Sequence, residues 1–319
     1  MNSNPACLGV LLTRDGGHEL FPPVSGCSTP QLHRDHKIME NHSAFLSDVG
    51  VLALCGGHPG PSPPSAECIV FNPLTKQWQQ NSTMMGNLPE ERSYAADVTV
   101  PGVGTYLLGG RNDDSGQITS TSAFLPSTSN TWQPGPALPQ ALHAICAVSY
   151  NQSIFVIGGQ TETSYLKDVR EYNTVTHQWL PASTWPQLDK ERYHISCAIV
   201  GRTVVVAGSV PGAGGVVATD IINLESKLRT PGGDFQASSG VKLASAGRAS
   251  NMILYAFGQT RSYNEWGGVL RYGLVWKWDE DTSSWSEERR METSVTYMSA
   301  VAVPTGLMCL NDTKGKTTA

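Results

Sequence analysis

The sequence predicts an all-β fold assembled from repeats, and three observations carry that prediction. A diglycine closes a short apolar run at Gly56-Gly57, Gly109-Gly110 and Gly158-Gly159, and reduced copies end at Gly208 and Gly258. Successive copies are 53, 49, 50 and 50 residues apart, a spacing too regular for anything but a repeat. An apolar or aromatic residue stands seven positions before a tryptophan after four of the copies, at Phe71/Trp78, Leu125/Trp132, Tyr172/Trp179 and Trp278/Trp285. Finally, 32 glycines, 20 prolines and only 15% charged residues in 319 suit many short strands joined by tight turns. No window shows the 3.6-residue periodicity of a long helix.

The third repeat displays every element in order. Residues 143–148 read as an innermost strand, with small and apolar side chains suited to an axis. Asn151-Gln152 turns the chain, and residues 154–157 form a second strand that is apolar throughout because both faces are covered. The diglycine lets backbone pack without Cβ atoms. Residues 169–172 are the third strand, 173–176 a polar turn, and His177-Gln178-Trp179 begins the outer strand. The tryptophan and its aromatic partner are expected to wedge between neighbouring repeats.

Period, diglycine and tryptophan together resemble the kelch family of β-propellers over nearly the whole chain, which implies one four-stranded antiparallel blade per repeat. The register extends into both termini. Residues 299–303 and 307–310 read as first and second strands, and residues 7–12 and 18–21 as third and fourth. The expectation is therefore a six-bladed propeller in a single domain, 1–319. Residues 1–26 and 291–312 would supply the outer and inner strands of the closing blade, which pairs otherwise open edges. The fourth repeat, with its Gly-rich segment and missing tryptophan, is the most degenerate.

Seven cysteines occur. Cys55 ends a second strand and Cys68 begins the next, side by side in an antiparallel pair. Cys309 and Cys7 take the same places in the closing blade. Two disulfides, Cys55–Cys68 and Cys7–Cys309, are predicted, and with them an oxidising compartment and a secreted protein; four buried thiols are the alternative. Cys146 and Cys197, on adjacent inner strands, are expected to be free and buried, and Cys27 has no evident partner. Sequons at Asn41, Asn81, Asn151 and Asn311 lend weak support to a secreted glycoprotein. Met1-Asn2-Ser3-Asn4-Pro5 does not read as a signal peptide. A net charge of −5 without a basic cluster argues against nucleic acid, and no apolar run approaches the roughly 20 residues of a membrane span. A monomer is expected.

The resemblance implies a ligand face formed by the loops before each inner strand and those joining second and third strands. The first set holds Glu40, His42, Arg92, Tyr94, His143, Arg192, Tyr193, His194, Lys242 and residues 294–296. The second set comprises residues 58–66, 111–120, 160–167, 209–218 and 259–268, with Tyr165, Tyr263 and Trp266 as exposed aromatic anchors. Converging histidines, arginines and a glutamate suit acid–base work or anion binding. Arginine and histidine before the inner strand also recur in kelch domains for packing, so both readings stand.

Tyr193-His194 alone is too short a match to the copper-radical kelch oxidases, and no metal or cofactor is expected. His33-Arg34-Asp35-His36 and Asn112-Asp113-Asp114-Ser115-Gly116 read as ordinary loops. Gly212-Ala213-Gly214-Gly215 lacks the Lys-Ser/Thr of a phosphate loop, Asp279-Glu280-Asp281 is a solvated hairpin, and no nucleophile elbow occurs. The leading reading is a secreted propeller binding a protein, peptide or glycan on its loop face. The alternatives are a secreted oxidoreductase acting on a small organic substrate, and an intracellular adaptor.

Overall fold

The computed structural model describes residues 7–14, 17–21, 41–58, 63–80, 82–111, 117–238, 240–248, 251–263, 269–291, 299–304 and 307. Two strands come first, β1 (Cys7–Arg14) and β2 (Gly17–Phe21). Blade 1 follows, with β3 (Ser43–Leu46), β4 (Leu52–Cys55), β5 (Cys68–Asn72) and β6 (Gln77–Gln79). Blade 2 comprises β7 (Ala96–Val100), β8 (Gly104–Leu108), β9 (Ser122–Pro126) and β10 (Gln133–Pro134). Blade 3 comprises β11 (Cys146–Tyr150), β12 (Ser153–Ile157), β13 (Val169–Asn173) and β14 (Gln178–Trp179). Blade 4 contains β15 (Tyr193–Val200), β16 (Thr203–Ser209) and β17 (Val216–Asn223). Its outer strand is broken into β18 (Arg229–Pro231) and β19 (Phe235–Gln236). Blade 5 has β20 (Lys242–Arg248), β21 (Asn251–Tyr263), β22 (Val269–Asp279) and β23 (Ser284–Met291), and β24 (Ser299–Pro304) comes last.

The propeller has five blades, not six. Among the described residues the strands fall into five sheets, and β1, β2 and β24 share one seven-stranded sheet with blade 5. The sixth blade required a second strand between β24 and β1, and they pair directly instead, from Leu8↔Pro304 to Thr13↔Ser299. Of the expected second strand only Leu307 is described, and it is helical. With no strand between them, the edge of β1 is satisfied by β24, and its first residues reach β20 at Cys7↔Arg248 and Leu8↔Gly247.

Successive blades share apolar layers. Phe45, Val70 and Met85 meet Leu107 and Trp132 between blades 1 and 2, and Val98 and Leu108 meet Ile145 and Ile154 between blades 2 and 3. Val301 and Val303 of β24 pack against Leu54, Phe71 and Trp78, which closes the circuit onto blade 1. The repeated tryptophans lie in these layers; Trp132 meets Phe45 edge-on at 5.9 Å. Blade 4 lacks its own tryptophan and borrows one. Trp285 of blade 5 packs tilted against Phe235, ring centroids 5.3 Å apart, and donates to Thr219 Oγ1 at 3.0 Å.

The diglycine has a measurable task. A Cβ on Gly109 would stand 2.3 Å from the Leu142 carbonyl oxygen of the next blade, which Gly110 N–H contacts at 2.8 Å. Both glycines have positive φ, +61° and +102°. At the opposite ends of the strands, Asn72, Asn173, Asn223 and Asp279 each accept two backbone N–H groups with one side-chain oxygen and so shape the third turn. Asp279, Glu280 and Asp281 are exposed there.

Cys55 and Cys68 are bonded across a directly opposed pair of β4 and β5, with Cα atoms 4.2 Å apart. Cys146 and Cys197, expected to be free thiols, are instead bonded to each other, Cα to Cα 5.8 Å, joining the inner strands of blades 3 and 4. The inner strands converge on the axis, and that convergence brings equivalent positions of neighbouring blades within bonding reach. Cys309 and Cys27 lie outside the described residues. Closing a loop of 51 residues in sequence separation restricts the unfolded chain by about 4 kcal/mol. Replacing both Cys146 and Cys197 with alanine is therefore expected to lower unfolding free energy by roughly that amount in urea titrations. Non-reducing peptide mapping should recover the Cys146–Cys197 peptide from wild-type protein.

Candidate functional site

Residues at or just before the start of the inner strands of blades 1 to 4 share one unusual backbone state. Asn41, Tyr94, Ala144 and His194 all have positive φ, at 57°, 53°, 49° and 48°. This left-handed turn swings the chain from loop to inner strand, at about 1 kcal/mol for a residue carrying a Cβ. Hydrogen bonds between blades hold it: Tyr94 N donates to Asn41 O at 3.0 Å, and Ala144 N donates to Tyr94 O at 3.0 Å. The loops after the diglycines clip onto the same place. Ser93 and Arg111 exchange backbone bonds at 2.9 and 2.8 Å, and His143 and Gln160 do so at 3.1 and 3.0 Å. Both loop sets thus meet on one face in blades 2 and 3.

On that face aromatic groups run from blade to blade. His58 contacts Tyr94 at 6.1 Å between centroids, and Tyr94 contacts His143 at 5.9 Å. Tyr165 contacts Tyr193 at 5.5 Å, and Tyr193 contacts His194 at 5.1 Å. Tyr94, Tyr165 and Tyr193 are half-buried and His194 is exposed, whereas His143 is buried. Ser93 Oγ lies 2.8 Å from His58 Nε2.

Arg92 and Arg192 do not belong to this surface. Arg92 is buried, and its guanidinium donates to Gly109 O at 2.5 Å, Thr121 O at 3.0 Å and Thr121 Oγ1 at 2.9 Å. Arg192 is equally buried, donating to Ala218 O at 2.8 Å and pairing with Asp220, which also receives Arg229. Each arginine donates to carbonyls on the second and third strands of its own blade, or on residues next to them. His42 is half-buried, and its carbonyl accepts from Ser299 Oγ at 2.7 Å. Glu40, Trp266, residues 294–296, residues 33–36 and residues 112–116 lie outside the described residues. Tyr263 ends β21, with its backbone opposite Val269.

Several titratable groups at the loop end of the inner strands influence one another electrostatically. Burial pushes the His143 imidazole down to about 4, helped by Arg111 and His194 and opposed by Glu162. Burial, then Lys242, lowers His194; burial lowers Lys242 against the pull of Asp97. Burial raises Asp97 to about 6, against Lys242 and the backbone N–H groups of Asp97 and Ala44. His194 and Lys242 are exposed to water. Of the sequence candidates, the structure unites Tyr94, His143, Tyr193, His194 and Lys242. It adds Asp97, whose signal was a carboxylate inside the otherwise apolar and small strand β7. Among the described residues no group of three His, Cys, Asp or Glu side chains is placed to hold a metal ion.

Residues 95–304 match the KLHDC2/KLHL20/DRC7 Kelch-repeats domain family. Kelch repeat protein M-T8 of myxoma virus (strain Lausanne) is 26% identical over 226 residues, 69% of this chain and 40% of that protein. Human Kelch-like protein 23 is 25% identical over 118 residues, 37% of this chain and 20% of that protein. Human Kelch-like protein 38 is 25% identical over 189 residues, 58% of this chain and 30% of that protein. The chain therefore spans less than half the length of these curated relatives.

His143 makes stability depend on pH. Its folded pKa lies below the ordinary 6.5, so its contribution is complete above that value and is lost as pH falls toward about 4. Between about pH 7.5 and 4.5 the wild-type protein is expected to lose about 2–3 kcal/mol more than His143→Phe, measured by urea unfolding.

Proposed function

The chain belongs to the kelch-repeat β-propeller family, and from that premise we propose that it is a secreted binding module. It holds a segment of a protein partner across the loop face around its channel. The observation that carries this reading is the row of half-buried and exposed rings, Tyr94, Tyr165, Tyr193 and His194, spread over blades 2 to 4 on the face where both loop sets meet. Tyrosine presents a broad ring and a polar tip with few rotatable bonds, and such residues dominate binding energies at protein interfaces. The left-handed turns and their bonds between blades hold the rings in place before a partner arrives, which limits the ordering lost on binding. An oxidoreductase draws less support, since Arg92 and Arg192 are committed to backbone carbonyls.

Secretion is supported by the Cys55–Cys68 and Cys146–Cys197 bonds, which persist in oxidising compartments. It is supported too by the sequon at Asn151, which sits exposed in the β11–β12 turn away from the loop face. Asn41 is half-buried, with its carbonyl engaged by Tyr94 N.

Displayed random peptides selected on the wild-type protein are expected to lose about tenfold or more in affinity for Tyr193→Ala, with the unfolding midpoint unchanged. Enriched peptides that bind Tyr94→Ala, Tyr165→Ala and Tyr193→Ala as tightly as wild type would remove the site from this face. Expressed through a secretory pathway, the protein should carry an N-glycan at Asn151. Enzymatic removal of N-glycans should then shift its electrophoretic mobility, and Asn151→Gln should reduce that shift.

A further inference from the structure

Blade 5 parts at the end remote from the loop face. In blades 2, 3 and 4 the ladder between second and third strands runs to the first residue of the second strand, at Gly104↔Pro126, Ser153↔Asn173 and Thr203↔Asn223. In blade 5 it stops at Tyr255↔Lys277, although β21 begins at Asn251 and β22 continues to Asp279. Among the described residues β21 is paired there only with β20, from Leu254↔Ser245 to Arg248↔Asn251, and β22 only with β23, at Trp278↔Trp285 and Asp279↔Ser284. Each strand therefore turns a backbone edge without a strand partner toward the other.

A cavity of about 360 Å³ lies at this parting. Its apolar wall is Val200, the last residue of β15 in blade 4, with Met252, Ile253, Leu254 and Trp278 of blade 5. Met252 and Ile253 are only half-buried, whereas Trp278 is buried, its ring 3.2 Å from where a Cβ of Gly232 would stand. The polar lining is Lys277, half-buried, with Asp279, Glu280 and Ser286, all exposed. Asp279 Oδ1 accepts Asp281 N at 3.0 Å and Thr282 N at 3.1 Å, which commits that oxygen to the turn. Lys277 and Glu280 belong to no ion pair among the described residues.

One space thus gathers an apolar wall, an ammonium, carboxylates and two backbone edges. A purely apolar molecule would cover the backbone groups without bonding them, which is costly. A simple amine would meet Lys277 as a like charge, and a simple acid would meet Asp279 and Glu280 in the same way. We propose that this cavity binds a free amino acid with a large apolar side chain. The side chain lies on the wall, the carboxylate meets Lys277, and the ammonium meets Glu280 and the backbone carbonyls of the parted strands. The volume is near the lower end of small-molecule pockets, roughly 300–1,000 Å³, which suits one such molecule. None of the rim tyrosines lines it, so the site stands independently of the partner-binding surface.

The test is calorimetric titration of the full chain with phenylalanine, leucine and glycine, alongside phenethylammonium and 3-phenylpropanoate as single-charge probes. Phenylalanine or leucine is expected to bind, with glycine and both single-charge probes about tenfold weaker or worse. Lys277→Met should weaken the bound amino acid about tenfold, and Glu280→Gln, at an exposed position, about threefold. Tyr193→Ala should leave it unchanged. The proposal is overturned if neither apolar amino acid binds, if glycine or a single-charge probe binds equally well, or if both charge variants bind as wild type does. Should either variant fail to fold by circular dichroism, the probe series on wild-type protein decides alone.

Discussion

Backbone from one blade lies almost directly against backbone from the next, and everything else in this propeller depends on that approach. The Arg92 carbonyl sits where a Cβ of Gly56 would be, 2.3 Å away, and receives Gly57 N–H at 2.7 Å. Leu142 repeats the arrangement one blade later against Gly109 and Gly110. Blades seated this closely can share dry apolar layers and buried tryptophans. The loops preceding the inner strands are also drawn into contact, and there the left-handed turns at Asn41, Tyr94 and Ala144 exchange backbone bonds. The ligand face is thus a consequence of how blades touch.

The same approach explains the buried arginines. A buried carbonyl has two lone pairs, and the ladder between second and third strands occupies only one of them, leaving room for a further donor. Arg92 and Arg192 reach across and satisfy two carbonyls each. Asp220, wholly buried, balances Arg192 and Arg229. These charges brace the blades.

Much of the architecture was legible in the chain. The diglycine interval, the tryptophan seven residues after its partner, and the Cys55–Cys68 spacing all follow from strand alternation and turn chemistry, which are local. The blade count was not. Counting register into the termini assumed a second strand at residues 307–310, and β24 pairs with β1 instead. Cys146 and Cys197 were correctly aligned on adjacent inner strands, but their bond depends on how closely those strands converge, which no spacing along the chain encodes. Arg92 and Arg192 fall in the same stretch before the diglycine, 14 to 17 residues back, as His143 and His194, and only the structure shows their guanidinium groups turned to backbone carbonyls.

By itself the sequence determined the repeat, its strands and turns, and the loop positions available for recognition, because each is set by contacts within about 50 residues. The tertiary structure decided five blades over six, a bond between Cys146 and Cys197, and which polar groups are consumed by the fold. The physical reason is common to all three: each depends on how separate blades meet around an axis, and the residues that meet there are distant along the chain.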